Sequence, residues 1–429
     1  VEALKPIVPH SLITASAERH PPIRRAMNAN FGRSLYVRLH ECLQNQISSM
    51  VRAFDSAAED GRVVELDSAM VELTFGVIFQ MTISQSSAKY MNFLEHPLAQ
   101  LVAQIMRESI ELMSKPHLQL LGRFGAPKLY DAIRQVKRIA LQVVKERRTE
   151  NEADRLARNG EDLLDVLLKV PYETDDFIVS ELIELFLAGT DTTAHTLAFC
   201  IFELTQNDSV RSRLLSEIHA LKTTAVPMYT TAAPKAAGRV VNTQNIPSCS
   251  PTDSFTSNSF NYPSFDGVQT ELEYGGMVWK ETLRMRPVSA TGTYRTLTED
   301  AVLPATQVFL EKGTDVLLPP FAMHFDEEVW PNPYVFDPDR FSREKVRERG
   351  AFALQTFSSG SRNCVGQFFA THEGLTVLAV LLDRYEFTPV CDPSTVTQHH
   401  TITSRPISKL PDGSHYNGLP VRISKRNNS

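Results

Sequence analysis

The sequence predicts a single, mainly α-helical domain with small β elements, built from 429 residues. Hydrophobic residues recur at helical spacing in several segments, and one long segment is apolar on nearly every face. Strands and helices do not alternate along the chain, so a parallel sheet is not expected. A composition of 42% hydrophobic and 22% charged residues is ordinary for a soluble globular protein.

Two amphipathic helices are expected in the first third of the chain. Each has a stripe of apolar side chains three or four residues apart, which is typical of a core-facing surface rather than of a binding site. The charged segment 145–162 is interpreted as the solvated end of the second helix and the loop after it. The first stripe consists of Leu39, Leu43, Ile47, Met50 and Phe54, and the second of Leu129, Ile133, Val136 and Val143.

A long helix is predicted from Phe177 to about Asn207. Because it is apolar nearly all round, we expect it to cross the interior rather than lie on the surface. Short strands are predicted near Arg295–Leu297, Val302–Leu310 and Asp315–Leu318, and at the C-terminal end.

Residues 222–264 differ in composition from the rest of the chain. They hold only four charged residues, are rich in Ser, Thr, Ala, Pro and Asn, and show no periodicity. This composition predicts a flexible connection. It is either a true insertion or non-coding sequence translated through a faulty gene model.

Charge and cysteine usage exclude several classes of protein. The net charge of −6 gives no indication of nucleic-acid binding. Five cysteines, at 42, 200, 249, 364 and 391, are odd in number and lack CxxC spacing, which favours a reducing compartment over a disulfide framework or a zinc site. No signal peptide is recognised, and no stretch approaches the roughly 18 apolar residues of a membrane span.

The segment FSSGSRNCVG (357–366) prepares one cysteine to bind a metal. Gly360 and Gly366 let the backbone turn tightly around Cys364 and approach a flat partner closely. Arg362 places a cation two residues from the sulfur, where it favours a thiolate or pairs with a carboxylate. An ordinary buried cysteine in a glycine-rich turn is the alternative interpretation.

The pattern FxxGxRxCxG, followed by a predicted apolar helix at Gln367–Leu382, resembles the haem-binding loop of the cytochromes P-450. In that family a cysteine thiolate binds the haem iron, and the positive N-terminal end of the following helix stabilises its charge. The resemblance extends over most of the chain and implies the cytochrome P-450 fold. It assigns Cys364 as the metal ligand and, with Cys364, four cofactor-binding residues: Phe357, Gly360, Arg362 and Gly366.

AGTDTT (188–193) is a poor sequence for the interior of a helix, since Gly, Asp and Thr have low helix propensity. It resembles the motif in which Ala188 and Gly189 open a groove beside the haem for dioxygen. Asp191 and Thr192 then form the catalytic acid–alcohol pair that delivers protons. A kinked core helix whose threonines bond back to carbonyl groups is the alternative.

Glu281 and Arg284 form an ExxR pattern on one helical face, followed later by FDPDRF (336–341) with Arg340. In the family these three residues form a buried structural network in which a carboxylate lies between two guanidinium groups. HPPIRR resembles the family's propionate-binding motif and assigns His20 and Arg24 to the cofactor; a surface pair is the alternative.

Two further predictions concern the last third of the chain. Arg295 is a further candidate propionate partner. The closing pattern TITSRPIS…GLPVRISKR also resembles the family's, and its loop at Ile402–Thr403 is expected over the substrate pocket, where no single contact is assigned.

The resemblance implies a monooxygenase that holds haem b and uses O2 to oxidise a small apolar organic substrate. Electrons from NADPH are expected through NADPH–cytochrome P-450 reductase, with cytochrome b5 as a second candidate partner. Arg362 stands where bacterial soluble members often have His, which favours the microsomal type and the cytosolic face of the endoplasmic reticulum membrane.

Two alternatives remain open at this point. One is a haem-thiolate isomerase or dehydratase that needs no reductase, although the retention of Asp191 and Thr192 argues against it. The other is a non-catalytic, N-terminally truncated remnant, because the family's membrane anchor, first helices and substrate-covering loop are expected before His20.

Overall fold

Helices make up most of the protein, whose computed structural model describes residues 5–84, 97–113, 124–157, 161–170, 172–221, 223–227, 259–289, 292–350, 352–400 and 403–426. The helices are α1 (His20–Asn30), α2 (Arg33–Asp60), α3 (Leu66–Ile83), α4 (Pro97–Met113), α5 (Pro127–Arg148), α6 (Glu152–Ala157), α7 (Leu163–Lys169), α8 (Asp175–Gln206), α9 (Asp208–Ala220), α10 (Phe265–Thr270), α11 (Glu273–Met285), α12 (Pro320–Met323), α13 (Arg343–Arg349) and α14 (Gln367–Arg384).

Helix α8 crosses the interior without a break, which confirms the predicted central helix. It packs along α3 and also contacts α5, α11 and α14. Both α3 and α8 are long and apolar enough to cross a membrane, so the expectation that no segment has that composition was wrong. In each helix 72% of the apolar window is buried inside the protein, as in the core helices of soluble proteins.

The two predicted apolar stripes lie in α2 and α5. All five residues of the first stripe are buried, as are the first three of the second. The fourth, Val143, is only partly buried, and its neighbour Val144 takes the core position instead. The helical phase was therefore off by one residue at the end of α5.

The charged segment 145–162 is not wholly solvated, contrary to expectation. Arg147 and Asp162 are buried and their side chains are 2.7 Å apart, with Asp165 at 3.0 Å from the same guanidinium nitrogen. Arg147 also donates to the carbonyl oxygen of Ile83 at 2.8 Å. A buried charge needs such partners, and this one ties the end of α5 to α7 and to the end of α3.

The β elements are small, and all described strand pairs are antiparallel. The predicted strands near Arg295–Leu297 and Asp315–Leu318 are found as β4 and β7, and the C-terminal one is β12, whereas Val302–Leu310 forms two short paired strands, β5 and β6. The strands form the sheets β1-β12-β8 (Val63–Glu65, Pro420–Lys425, Tyr385–Pro389), β11-β10-β9 (His415–Asn417, Ser404–Lys409, Thr397–His400), β4-β7 (Thr293–Thr296, Asp315–Leu318), β5-β6 (Ala301–Val302, Phe309–Leu310) and β2-β3 (Thr223–Pro227, Ser259–Pro263).

Both ends of the segment 222–264 are ordered as a hairpin, which sequence composition did not indicate. Strands β2 and β3 pair along their whole length, from Thr223 opposite Pro263 to Pro227 opposite Ser259. Tyr262 is buried and its hydroxyl donates to the carbonyl oxygen of His40 at 2.7 Å, which attaches the hairpin to α2. Residues 228–258 lie outside the described residues, so their interpretation stays a prediction.

Candidate active site

Cys364 lies in a tight loop that leads into α14. The loop begins with Gly360, whose φ of +76° is a left-handed conformation that favours glycine. The Cys364 N–H donates to the carbonyl oxygen of Phe357 at 2.9 Å, which closes the turn around the sulfur. Helix α14 begins at Gln367, as predicted, so its positive end adjoins the cysteine.

Cys364 is the one exposed cysteine among the four in the described residues; Cys249 is not among them. Yet its sulfur lies deep among protein atoms, and this burial raises the pKa of the Cys364 thiol, against the Gly366 N–H and Arg24, which lower it. Because the Cys364 side chain is accessible although its sulfur is deep inside the protein, the thiol lines an internal space rather than packing in the core. Such a thiol stays protonated until a metal ion replaces its proton, so its chemistry fits a ligand of a haem iron.

Four basic side chains, His20, Arg24, Arg295 and Arg362, form what we call the cation cluster. Burial first, and then the charges of the three arginines, lowers the pKa of His20. Burial and Arg362 likewise lower the pKa of Arg295. These charge effects place the three arginines near His20 and Arg362 near Arg295; propionate binding by His20, Arg24 and Arg295 stays a prediction.

The cation cluster lacks acidic partners within the described part of the chain. Arg24 donates to the carbonyl oxygen of Asn363 and, at 2.7 Å, to its side-chain Oδ1. Arg362 donates to the carbonyl oxygen of Ala15 at 3.0 Å, and Arg295 to that of Tyr294 at 2.8 Å. An unbalanced group of cations is a binding site for anions, and two carboxylates such as the haem propionates fit it.

The motif at 188–193 lies in α8, but its two small residues face different ways. Ala188 is exposed although it lies in the middle of a core helix, so it lines an internal space. A Cβ on Gly189 would lie 2.9 Å from Ile78 Cγ1, so this glycine is required by the close packing of α3 on α8. Ala188 is thus exposed to the internal space and the Cβ position of Gly189 faces α3, while the role of both residues in opening a groove stays a prediction.

Asp191 and Thr192 follow on the same turn of α8. The Thr192 hydroxyl donates to the carbonyl oxygen of Ala188 at 2.7 Å, and Thr190 and Thr196 make the same kind of bond. These bonds allow three threonines in an unbroken helix. Burial raises the pKa of Asp191, opposed by the nearby charge of His195. Their catalytic roles stay a prediction.

Glu281, Arg284 and Arg340 come together, and we call them the glutamate network. Arg284 and Glu281 are 0% exposed and form a bidentate pair at 2.8 and 2.9 Å, and Arg340 Nε lies 3.4 Å from the same carboxylate. The Asp337 N–H donates a further bond to Glu281 at 2.9 Å. Arg284 also donates to two backbone carbonyl oxygens, so each of its guanidinium nitrogens has an acceptor.

Sequence reasoning missed His324, which connects the glutamate network to the cysteine loop. Its Nδ1–H donates to the carbonyl oxygen of Arg284 at 3.2 Å, and its Nε2 accepts from the Gln355 N–H at 3.0 Å. Burial lowers the pKa of His324 to about 4, so the ring is neutral, as this pair of bonds requires. No motif marks this histidine, because its partners are distant in sequence.

His195 and Asp67 were also missed, although both are buried beside Asp191. Nδ1 of His195 lies 2.7 Å from an Asp67 oxygen, and Nε2 lies 3.9 Å from an Asp191 oxygen. The predicted loop over the substrate pocket is described only in part: Thr403 is buried, whereas Ile402 is outside the described residues.

Comparison with known proteins identifies the chain's relatives. The family model for cytochrome P-450 matches residues 4–231 and 264–410. A probable cytochrome P-450 6a13 of Drosophila melanogaster is 28% identical over 276 residues, which cover 62% of this chain and 48% of that protein. A probable cytochrome P-450 6a23 of the same species is 28% identical over 383 residues, covering 85% and 66%.

A crystal structure of a cytochrome P-450 (CYP102L1) superimposes with a TM-score of 0.77 at 20% identity, over 99% of this chain and 86% of that one. That similarity supports the fold alone. Among the first relatives, the chain spans about half the length of the curated proteins it matches.

Proposed function

The chain belongs to the cytochrome P-450 family, and we propose that it is a haem-thiolate monooxygenase that inserts one oxygen atom of O2 into a small apolar organic substrate. One observation carries this proposal: the Cys364 thiol lines an internal space at the positive end of α14, with no competing role in the core. Members of the family are haem-thiolate monooxygenases in general, which gives the geometry its chemical meaning.

The residues present fit haem b. Cys364 would bind the iron, and the cation cluster would bind the propionates. When bound, the haem supplies reductive activation of dioxygen, and the thiolate favours O–O cleavage by donating electron density. The glutamate network and His324 would act indirectly, by fixing the cysteine loop against α11.

Asp191 and Thr192 would control protons on the other side of the internal space. A raised pKa keeps a proton on the Asp191 carboxyl group over a wider range of pH. Because the Thr192 hydroxyl proton is used in the bond to Ala188, its oxygen remains able to accept a proton-donating hydrogen bond. Together they would deliver protons to one side of the site only.

Electrons would come from NADPH through NADPH–cytochrome P-450 reductase, with cytochrome b5 as a second donor. Arg362 and the similarity to animal relatives support the microsomal type. We therefore propose the cytosolic face of the endoplasmic reticulum membrane as the location of the whole protein.

The first test is the carbon monoxide difference spectrum of the dithionite-reduced chain. We expect a Soret band at the wavelength that names the family, its loss in C364S, and its retention in C391A, where another buried cysteine is removed. A band at shorter wavelength in the wild type would overturn thiolate ligation. Incorporation of one heavy-isotope atom from dioxygen into product, with reductase and NADPH, would then separate a monooxygenase from an isomerase.

A further inference from the structure

Three titratable side chains form a line from the internal space into the α3–α8 interface. Asp191 is partly exposed to that space, and His195 lies one helical turn further along α8. Asp67 is in the first turn of α3, where the following Ser68 is exposed. His195 and Asp67 are 4% and 6% exposed, so the imidazole is almost enclosed between two carboxylates.

The charges around His195 favour its cationic form. Burial alone would lower the pKa of His195, but Asp67 and then Asp191 overcome this effect and raise it. From β10, Arg405 opposes them weakly and also lowers the pKa of Asp191. Asp67 from α3, Asp191 from α8 and Arg405 from β10 are the charged groups that face the imidazole.

Of the two carboxylates beside His195, only that of Asp67 is hydrogen-bonded to the imidazole. The 2.7 Å contact fixes His195 Nδ1–H on Asp67, and this bond sets the orientation of the ring. The other nitrogen then faces Asp191 at 3.9 Å, which is too long for a hydrogen bond but close enough for a strong charge interaction in a buried site.

We infer that His195, held cationic and oriented by Asp67, is a positioning residue that stabilises the carboxylate of Asp191 after Asp191 has given up its proton. This inference rests on the proposed function for the role of Asp191. The Asp191 O–H bond breaks, its proton leaves toward the dioxygen side, and water later returns a proton to the same carboxylate. His195 keeps both of its protons throughout and transfers none.

The contrasting interpretation is that Asp67 and His195 only fasten α3 to α8. The two interpretations differ in the titration of Asp191. If His195 acts by its charge, H195Q moves the protonation of Asp191 to higher pH, because a neighbouring cation is lost. D67N also leaves the imidazole neutral because of burial, but it removes the Asp67 charge that itself raises the pKa of Asp191, so its shift is expected to be smaller than that of H195Q. The double variant moves it no further than either single variant.

The experiment is an infrared titration of the 429-residue chain, in which the Asp191 carboxyl band is identified by its loss in D191N. H219Q is the matched control, since His219 forms a histidine–aspartate pair with Asp383 at 3.3 Å on the surface, with a 54% exposed side chain. An Asp191 titration that is unchanged in H195Q would overturn the inference.

A second measurement does not depend on a variant of His195 or Asp67. In chain labelled with ¹⁵N-histidine, we expect the His195 ring to give the signal of an imidazolium at neutral pH. A neutral ring in the wild type would overturn the inference even if every variant failed to fold. Both titrations use the resting protein, so they decide whether His195 acts on Asp191 by its charge even if the carbon monoxide spectrum refutes the proposed function.

Turnover adds a third readout. We expect product formed per NADPH at neutral pH to fall about tenfold in H195Q, which is small beside the effect of losing a general acid. The pH profile of coupling should move upward with the Asp191 titration, whereas a merely structural pair would lower activity at every pH alike.

Discussion

The glutamate network contains two basic groups and the cation cluster four, and the two sites are opposite in their charge balance. In the network, the Glu281 carboxylate accepts two bonds from Arg284 and lies 3.4 Å from Arg340. In the cluster, each described arginine bonds only to uncharged groups, and His20 is made harder to protonate by its neighbours. The balanced charges of the network indicate a structural role, whereas the excess positive charge of the cluster indicates a binding place for an anion.

The largest effect is expected from E281Q, which removes the central carboxylate of the glutamate network. It leaves Arg284 buried without a counter-charge, which costs about 3–5 kcal/mol of unfolding free energy. Urea denaturation measures it. The control is E273Q. It removes the ion pair of Glu273 with Arg343, whose side chains are 56% and 83% exposed, so the pair should contribute less than about 1 kcal/mol to the unfolding free energy. Equal losses in both variants would contradict the structural role.

H324F tests whether the glutamate network is coupled to the cysteine loop. A folded-state pKa of about 4, below the ordinary 6.5, means that folding favours neutral His324. The contribution of neutral His324 to the free energy of unfolding is complete above pH 6.5. It is lost as the pH falls toward 4, and the total loss is about 3 kcal/mol. In H324F this part of the pH dependence should disappear from denaturation curves.

The same variant also leaves the Gln355 N–H and the Arg284 carbonyl group without partners, at about 1–3 kcal/mol each. Some acid sensitivity will remain, since burial also lowers the pKa of His372, to about 3. H415F, at an exposed histidine, is the control. An unchanged slope between pH 6.5 and 4 in H324F would refute this account.

R362Q and R295Q test the imbalance of the cation cluster. Because each removes a charge repelled by its neighbours, the haem-free chain should be no less stable, and up to about 1 kcal/mol more stable. Haem affinity should fall about ten- to hundredfold, since a hydrogen bond to a charged group contributes about 1.5–3 kcal/mol. Denaturation of the haem-free chain and transfer of haem to an acceptor protein measure the two effects. A marked loss of stability in the haem-free chain would instead show that these arginines have a structural role.

N363A should have the smallest effect. It removes the side-chain oxygen that orients Arg24 but leaves the backbone bond and the charge in place. We expect a loss of about 1 kcal/mol or less in stability and little change in haem transfer. A decrease in haem affinity as large as in R362Q would show that orientation, rather than charge, limits binding.

Local patterns allowed much of the site to be predicted. Cys364, its glycines and α14 lie within one short segment, so their spacing alone specifies the turn and the helix. Glu281 and Arg284 are neighbours on one helical face, and Arg340 follows in a second motif. In each case, the interaction depends on residues whose relative positions are set by secondary structure.

The residues that were missed depend on packing between distant segments. His324 bonds to residues 40 and 31 positions away. The contact of His195 with Asp67 spans 128 positions, and the contact of Gly189 with Ile78 requires the crossing of two helices. Hydrophobic periodicity predicts which face of a helix is buried but not which side chain it meets, so these contacts could not be derived from the sequence.

The pairing of β2 with β3 has a consequence for the length of this polypeptide. Pro227 and Ser259 are opposite each other in the hairpin, so the intervening stretch begins and ends at nearly the same point in space. A transcript that encoded only a short turn between these codons would still specify the same hairpin against α2. We therefore expect a laboratory deletion between Pro227 and Ser259 to shorten the protein while leaving the hairpin against α2 in place.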